Sequence, residues 1–348
     1  MREQQLMRRA IALASPARPH PNPKVGALVV TTDGEVVGEG AYQGPGQPHA
    51  EVLALAQAGP DARGATVVVT LEPCVHLGRT APCLGALVDA GVRRVVVGAG
   101  DPDPRVAGRG LAGLRESGIE VLEGVLSEEA EALDPGYFHH RRTGRPRVTL
   151  KQAVTLDGQA AALDGSSQWI TSPEARRDAH HLRAWSDAVM VGAGTVLADD
   201  PRLTVRLNGQ DGPGPLPIVV AGRRALPLEA RLFARKALVL APRPVDLPAE
   251  VVVAGDGEAV DLRAGLAELG RRGIVDLLVE GGPTLAASLV GLGLVDRGVL
   301  YLGARLAGGV GLAALSGRFE TLSRARRVRI VDLRQVGGDV RVEFLPES

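Results

Sequence analysis

Only two cysteines occur in the 348 residues, Cys74 and Cys83, and both follow His49-Ala50-Glu51 closely. If all three soft side chains hold one metal, three separate segments of the chain must converge on a single point. One imidazole and two thiolates make a three-ligand zinc site with the fourth position open. A water at such a position ionises at a pKa of roughly 7, which suits catalysis. Glu51, two residues beyond His49, is placed to move protons rather than to bind metal. A histidine with a glutamate beside it, a Pro-Cys pair (Pro73-Cys74) and a second cysteine are the set that zinc-dependent deamination needs. A disulfide is the competing reading, but it leaves the His-x-Glu pair unexplained. Two buried inert thiols is another. The loop from Val75 to Pro82 is longer than the C-x-x-C spacing of the general deaminase pattern.

The length allows two domains with separate cores. Lys and Arg number 40 and so do Asp and Glu, so bulk charge makes no case for nucleic acid or an anionic membrane as partner. Aromatics are only 3%, while Ala, Val, Leu and Gly are plentiful, a balance that suits α/β layers packed with aliphatic side chains. No apolar run approaches the ~20 residues of a membrane span. The N-terminus, Met1-Arg-Glu-Gln-Gln, lacks an apolar signal core. Thiols used as metal ligands point to a reducing compartment, so the expected location is cytoplasmic. A homo-oligomer is the expected assembly.

Along the chain, Leu6 to Leu13 reads as a helix, and Val25 to Thr31 as a strand turning at Asp33-Gly34. His49 opens a helix to about Ala58, Thr66 to Leu71 is a covered strand, and Pro73-Cys74 begins a turn or helix. Cys83 starts a further helix. Arg93 to Val97 is a strand followed by Gly98-Ala99-Gly100-Asp101-Pro102-Asp103. That glycine pair lacks the third glycine and the helix of a dinucleotide fingerprint. Glu128 to His140 reads as one closing helix, with His139-His140-Arg141-Arg142 as its solvated end. The layout is an α/β/α sandwich. Arg142-Thr-Gly-Arg-Pro146 is the best linker, so the expected domains are 1–144 and 145–348. The second half opens on a strand, Val148 to Val154. Ser172 then caps a helix that begins at Pro173. Later, Ile274 to Val279 is a buried strand, and a glycine turn, Glu280-Gly281-Gly282, leads into a helix whose bare amides suit an anion.

Pro21-Asn22-Pro23-x-Val25-Gly26, His49-Ala50-Glu51 and the Glu72-Pro73-Cys74-x-His76-x-Gly78-Arg79-Thr80-x-Pro82-Cys83 run resemble the deaminase half of the bifunctional riboflavin biosynthesis deaminase/reductase family. The long loop between the cysteines fits that family. Ala81 departs from it, standing where a second proline is expected. The second half resembles the reductase half of the same family through several separated segments. These are Lys151-x-Ala153-x-x-Leu156-Asp157-Gly158, Ser167-Gln-Trp169-Ile-Thr-Ser172, Ala175-Arg176 with Arg183, Gly194 to Arg206, and Glu280-Gly281-Gly282-Pro283-Thr284-Leu285. Ala221-Gly222 stands where the family often has Asp-Ser.

The resemblance implies a cytidine-deaminase-like α/β/α sandwich followed by a dihydrofolate-reductase-like α/β domain. It implies zinc on His49, Cys74 and Cys83, with Glu51 catalytic and Asn22 and His76 on the pyrimidine. It implies NADPH against Ala153, Trp169, Thr195, Asp199 and the run Gly282, Pro283, Thr284, Leu285, Ala286, Ala287 and Ser288. Ser167, Arg183, Leu203, Arg206 and Glu280 would hold a phosphoribosyl pyrimidine, with Lys151 a candidate to assist at the sugar. Taken singly these residues are bland: Trp169 reads as core, Arg183 as a helix-face charge, Asp199 as a turn residue. Two rivals carry different tests. Salt-dependent binding of single-stranded oligonucleotides would favour a nucleic-acid base deaminase. Four protein ligands at the metal, with His76 as the fourth, would favour a structural zinc module.

Overall fold

Runs such as Gly26-Ala-Leu-Val-Val30 and Thr66-Val-Val-Val-Thr-Leu71 are apolar without alternation, as strands covered on both faces must be. The computed structural model describes residues 2–75, 81–207, 209–212, 214–222, 224–317 and 320–347. The chain divides into two units, Met1–Gly144 and Arg145–Ser348. Among the described residues no helix is long and apolar enough to cross a membrane.

The first unit runs α1 (Arg2–Ala14), β1 (Gly26–Val30), β2 (Val36–Ala41), α2 (Ala50–Ala58), β3 (Thr66–Leu71), α3 (Cys83–Asp89), β4 (Arg94–Ala99), α4 (Arg109–Glu116), β5 (Glu120–Leu122), α5 (Ser127–Leu133) and α6 (Pro135–Thr143). The sheet order is β2-β1-β3-β4-β5. β1 is antiparallel to both its neighbours, while β3, β4 and β5 are parallel. Side chains alternate across it. Ala27, Val29, Val67, Val69, Val95 and Val97 pack under the helices that include α2 and α3, and Leu28, Val30, Val68 and Val96 pack against Met7 and Ala10 of α1. A Cβ on Gly38 or Gly40 would fall 2.1 or 2.4 Å from a carbonyl oxygen of α2. Glycine at these two positions lets α2 lie directly on β2 and so sets where α2 begins.

Three readings are corrected or narrowed here. Residues 128–140 form two helices rather than one. Pro135 cannot continue α5, and Asp134 instead caps α6 by accepting from the Tyr137 amide at 3.2 Å. His140 is buried rather than solvated, because α6 lays one face on the core. Cys74 also begins no helix; it sits in irregular chain after β3.

The second unit contains β6 (Arg147–Thr155), β7 (Gln159–Ala161), α7 (Pro173–Ala184), β8 (Ala188–Gly192), α8 (Ala193–Asp199), β9 (Val205–Leu207), β10 (Gln210–Gly212), β11 (Leu216–Val220), β12 (Leu238–Ala241) and β13 (Glu250–Val253). It continues through α9 (Leu262–Arg271), β14 (Asp276–Val279), α10 (Pro283–Gly291), β15 (Arg297–Gly303), β16 (Leu312–Ala313), β17 (Val328–Val336) and β18 (Asp339–Pro346). The main sheet is ordered β13-β12-β11-β8-β14-β6-β15-β18-β17. It is parallel from β13 to β15, and β18 and β17 close it antiparallel. The small pairs β7–β16 and β9–β10 carry too weak an apolar pattern to be read from sequence, whereas β13, with three consecutive valines, escaped the sequence reading.

In a parallel sheet the loops leaving the carboxyl ends part where the connections reverse direction, and ligands collect in that crevice. Here the chain leaves β8 toward β11 but leaves β14 toward β15, on the other side of β6. The crevice therefore opens between the starts of α8 and α10.

Candidate active sites

His49 is the N-cap residue of α2, with extended backbone (φ −68°, ψ 160°), and its side chain does not cap the helix. Cys83 is the first residue of α3, fully buried, and Cys74 follows β3. The imidazole Nδ1 lies 3.0 Å from Cys83 Sγ and 3.5 Å from Cys74 Sγ. The three candidate donor atoms lie within 4.8 Å of one another. Tetrahedral zinc would set nitrogen and sulfur roughly 3.6 Å apart, so the described donors fit one zinc ion. A disulfide is absent, and both thiols are free.

The two thiols hold their protons unequally. Cys74 is drawn well below the ordinary thiol range, first by a hydrogen bond from Cys83 and then by His49, and Cys83 is driven up in turn. The Cys83 amide donates to Cys74 Sγ at 3.3 Å. A zinc ion held here would displace the proton left on Cys83, so that both sulfurs would serve as thiolates. Glu51, 3% exposed, stands in the first turn of α2. Burial pushes its carboxyl pKa up; a nearby metal charge would pull it back.

A cavity of about 460 Å³ opens over these groups, lined by Asn22, Tyr42, His49, Glu51 and Cys74 among others. Asn22 donates to the Tyr42 hydroxyl at 2.7 Å. On the far wall, Tyr137 donates to both oxygens of Asp101, at 3.0 and 3.2 Å, and burial pushes Asp101 up to about 6. Arg105 grips Asp103 at 2.6 Å and holds it down to about 2. Arg141 adds a weaker contact to Asp103 at 3.4 Å and stands 5.0 Å from the centre of the Tyr137 ring. These residues escaped the sequence reading. The available signal was two aspartates just past the carboxyl end of β4, a place where ligands gather in open α/β sheets.

Glu72, 4% exposed, explains how that wall is held. Its carboxylate accepts from the amides of Asp101 (3.2 Å), Gly108 (3.0 Å), Gly110 (2.8 Å) and Leu111 (3.3 Å). It reaches the loop from Asp101 to Gly108 and the first turn of α4, fastening the Asp101–Asp103 segment beside the cavity.

In the second unit, Arg183 on α7 meets Glu280 through two parallel bonds of 3.0 and 2.8 Å, and donates a third to the Thr204 carbonyl at 2.5 Å. Burial alone would raise Glu280, but Arg183 and then Lys151 outweigh it and hold it at about 2. Burial also draws the Lys151 ammonium below its usual range; its Nζ stands 5.8 Å from the Tyr301 ring centre. Arg206 donates its amide to His180 Nδ1 at 3.1 Å, and burial, then Arg183 and Arg206, pull that imidazole down to about 4. Lys151, Arg183 and Glu280 are thus brought together, His180 links Arg206 to them, and the Leu203 side chain turns into the core.

Thr195 and Asp199 lie on α8, and Gly282 is the N-cap of α10 with no side-chain acceptor of its own. A Cβ on Gly282 would have Thr195 Oγ1 at 3.6 Å, so the two helix starts face each other across the crevice. The uncapped amides of α10 fit a phosphate of a dinucleotide. Leu285 and Ala286 turn into the core, leaving only their backbone for a ligand. Ala153, on β6, packs with Tyr301 and Val299. Ser167 and Trp169 line a separate cavity of about 390 Å³ with Arg305 and Val310. Trp169 is 56% exposed, which overturns its reading as core, and Arg176 stacks over it at 4.3 Å. His76 lies outside the described residues.

Fold and site define a class, a zinc deaminase domain followed by a reductase domain. The comparisons with known proteins agree. Residues 1–99 match the cytidine and deoxycytidylate deaminase zinc-binding region, and residues 146–342 match the RibD C-terminal domain. The riboflavin biosynthesis protein RibD of Escherichia coli is 43% identical, with 98% of each chain covered. The structure of Acinetobacter baumannii RibD aligns with a TM-score of 0.92 at 39% identity, covering 100% of this chain and 99% of that one. A Thermotoga maritima structure described as a diaminohydroxyphosphoribosylaminopyrimidine deaminase/5-amino-6-(5-phosphoribosylamino)uracil reductase aligns with a TM-score of 0.88 at 34% identity, covering 99% of each chain. The chain belongs to the RibD family of riboflavin biosynthesis proteins, bifunctional deaminase/reductases that use zinc and NADPH.

Proposed function

We propose that residues 1–144 deaminate 2,5-diamino-6-(5-phosphoribosylamino)pyrimidin-4(3H)-one and that residues 145–348 reduce the ribosyl group of the product, 5-amino-6-(5-phosphoribosylamino)uracil, to ribityl. The observation that carries this reading is the meeting of His49 Nδ1 with both thiols beside the buried Glu51. His49, Cys74 and Cys83 hold zinc, which when bound supplies the Lewis acidity that lets water attack near neutral pH. Glu51 takes the proton from that water and returns protons to the ring nitrogen and the departing ammonia, as base and then acid. Asn22, oriented by Tyr42, holds the pyrimidine edge, and His76 joins it in binding the substrate.

In the second domain NADPH, when bound, supplies the hydride for C1′ of the sugar. Thr195, Asp199, Ala153, Trp169 and the Gly282–Ser288 turn orient it. Ser167, Arg183, Leu203, Arg206 and Glu280 hold the phosphoribosyl pyrimidine, with the arginines set toward its phosphate. Lys151 stands beside Glu280 to assist at the sugar. The partner is this small molecule rather than a polynucleotide, the location cytoplasmic and the assembly a homo-oligomer.

The test is Glu51→Gln in the purified full chain. Ammonia release from the diamino substrate should fall by about 10²–10⁴-fold, the range of a lost general base, while NADPH oxidation on the deaminated intermediate stays intact. Loss of both activities in a well-folded variant would refute the division of labour.

A further inference from the structure

Two consecutive carbonyls, those of Leu203 and Thr204, each receive a guanidinium donor, and the two donors come from different elements. Arg183 reaches Thr204 from α7 at 2.5 Å. Arg235, just after the short 3₁₀ turn Arg231–Ala234, reaches Leu203 at 3.0 Å and also the Gly214 carbonyl at 3.3 Å. Leu203 and Gly214 stand before and after the β9–β10 hairpin that carries Arg206, so Arg235 ties its two stems together. The same stretch is pinned a second time, because Asp200 accepts from the Arg231 amide at 2.8 Å. Both Asp200 (φ 39°) and Leu203 (φ 55°) hold left-handed backbone, which non-glycine residues keep only where surrounding contacts impose it.

The charge around Arg235 is unusual for a structural clamp. It uses a cation on neutral carbonyls, and its Nε is buried without a hydrogen-bond partner among the described residues. Burial and then the charge of Arg183 disfavour its protonated form. Arg183 and Lys151 act on the carboxylate of Glu280, Arg206 adjoins His180 beside them, and Arg235 lies close enough to Arg183 to feel its charge. An anion settling among them would find a site already paid in positive charge, and the phosphate of a phosphoribosyl substrate is such an anion.

We propose that Arg235 is a positioning residue for the reductase substrate: it sets the Leu203–Arg206 segment in its bound shape and contributes to the positive field that receives the substrate phosphate. This rests on the reading that Leu203 and Arg206 hold the phosphoribosyl pyrimidine. The experiment is steady-state reductase kinetics of the full chain with 5-amino-6-(5-phosphoribosylamino)uracil, comparing wild type with Arg235→Met, Arg235→Lys and Arg206→Ala. Arg235→Met should raise KM for the pyrimidine about tenfold, the scale of one lost charge-assisted hydrogen bond, with kcat and the KM for NADPH little changed. Arg235→Lys, which keeps the charge but reaches one carbonyl at a time, should recover part of that loss.

A wild-type KM in Arg235→Met, beside a raised KM in Arg206→Ala, overturns the proposal alone. A wild-type KM in Arg206→Ala overturns the substrate-site reading and the proposal with it. If Arg235→Met fails to fold, Arg235→Lys decides: a raised pyrimidine KM at unchanged melting temperature supports the role, and a wild-type KM overturns it.

Discussion

The two active regions solve positioning in different ways. In the first unit the chemistry sits within a short stretch of chain, from His49 to Cys83, and two helix starts and a strand end aim it at one point. In the second, the groups that meet come from Lys151, Arg183 and Glu280, with Arg206 joined to them through His180, scattered along the parallel sheet's strands and crossovers. A metal needs few ligands of particular type, so its site can be local. A dinucleotide and a phosphoribosyl substrate are long and need contacts along a whole sheet edge. Changes in the first region should therefore be all-or-none, and those in the second graded.

The sharpest way to break that contrast is Cys83→Ser. Two remaining donors cannot hold zinc against a chelator, so bound metal and ammonia release should both fall below detection, while NADPH oxidation on the deaminated intermediate persists. Metal analysis alongside both half-reactions reads the result. Deamination at wild-type rate after the metal is stripped would show that the convergence of His49, Cys74 and Cys83 has some other purpose.

Next in size is Glu72→Ala. It leaves four amides, those of Asp101, Gly108, Gly110 and Leu111, without their carboxylate in a buried place. The expected cost is about 3 kcal/mol or more, read as a lower melting transition for the first unit, with the reductase reaction surviving at temperatures that abolish deamination. A melting curve like that of wild type would mean the loop is held by something other than Glu72.

How far the two regions could be read in the sequence follows the same contrast. The zinc set was legible because histidine, glutamate and cysteine declare their chemistry by type. The role of Glu72 was not, since its partners are backbone amides from 29 to 39 residues further along, and an amide carries no residue signature. Arg141 was hidden in what read as a basic helix end; only the break at Pro135 turns that helix so that Arg141 meets the cavity. The reductase groups were bland singly and became visible only as a spaced family pattern. Trp169 shows why: residue type suggests core, and only its exposure takes it out of the core. Arg235 left no trace, because both its acceptors are carbonyls.

The smallest effect concerns two carboxylates that answer pH in opposite senses, one in each region. Glu280 is held at about 2, below its ordinary value of 4.5, so its contribution to stability is complete above that ordinary value and is lost as pH falls toward 2. Asp101 is pushed up to about 6 from 3.8. The folded first unit then binds that proton more tightly than the unfolded chain does. Its contribution is complete below the ordinary value and is lost as pH rises through about 6. Between pH 7 and pH 5 this amounts to about 1 kcal/mol in favour of the fold at the lower pH. Asp101→Asn keeps the acceptor for Tyr137 but removes the titration. With zinc in excess, the difference in melting temperature between wild type and Asp101→Asn should shift toward wild type as pH drops over that interval. The transition of the second unit, whose Glu280 does not titrate in that range, should be the same in both proteins. A wild-type-minus-variant difference that is flat in pH would show that Tyr137 and the nearby amides stabilise the Asp101 anion enough to cancel its burial.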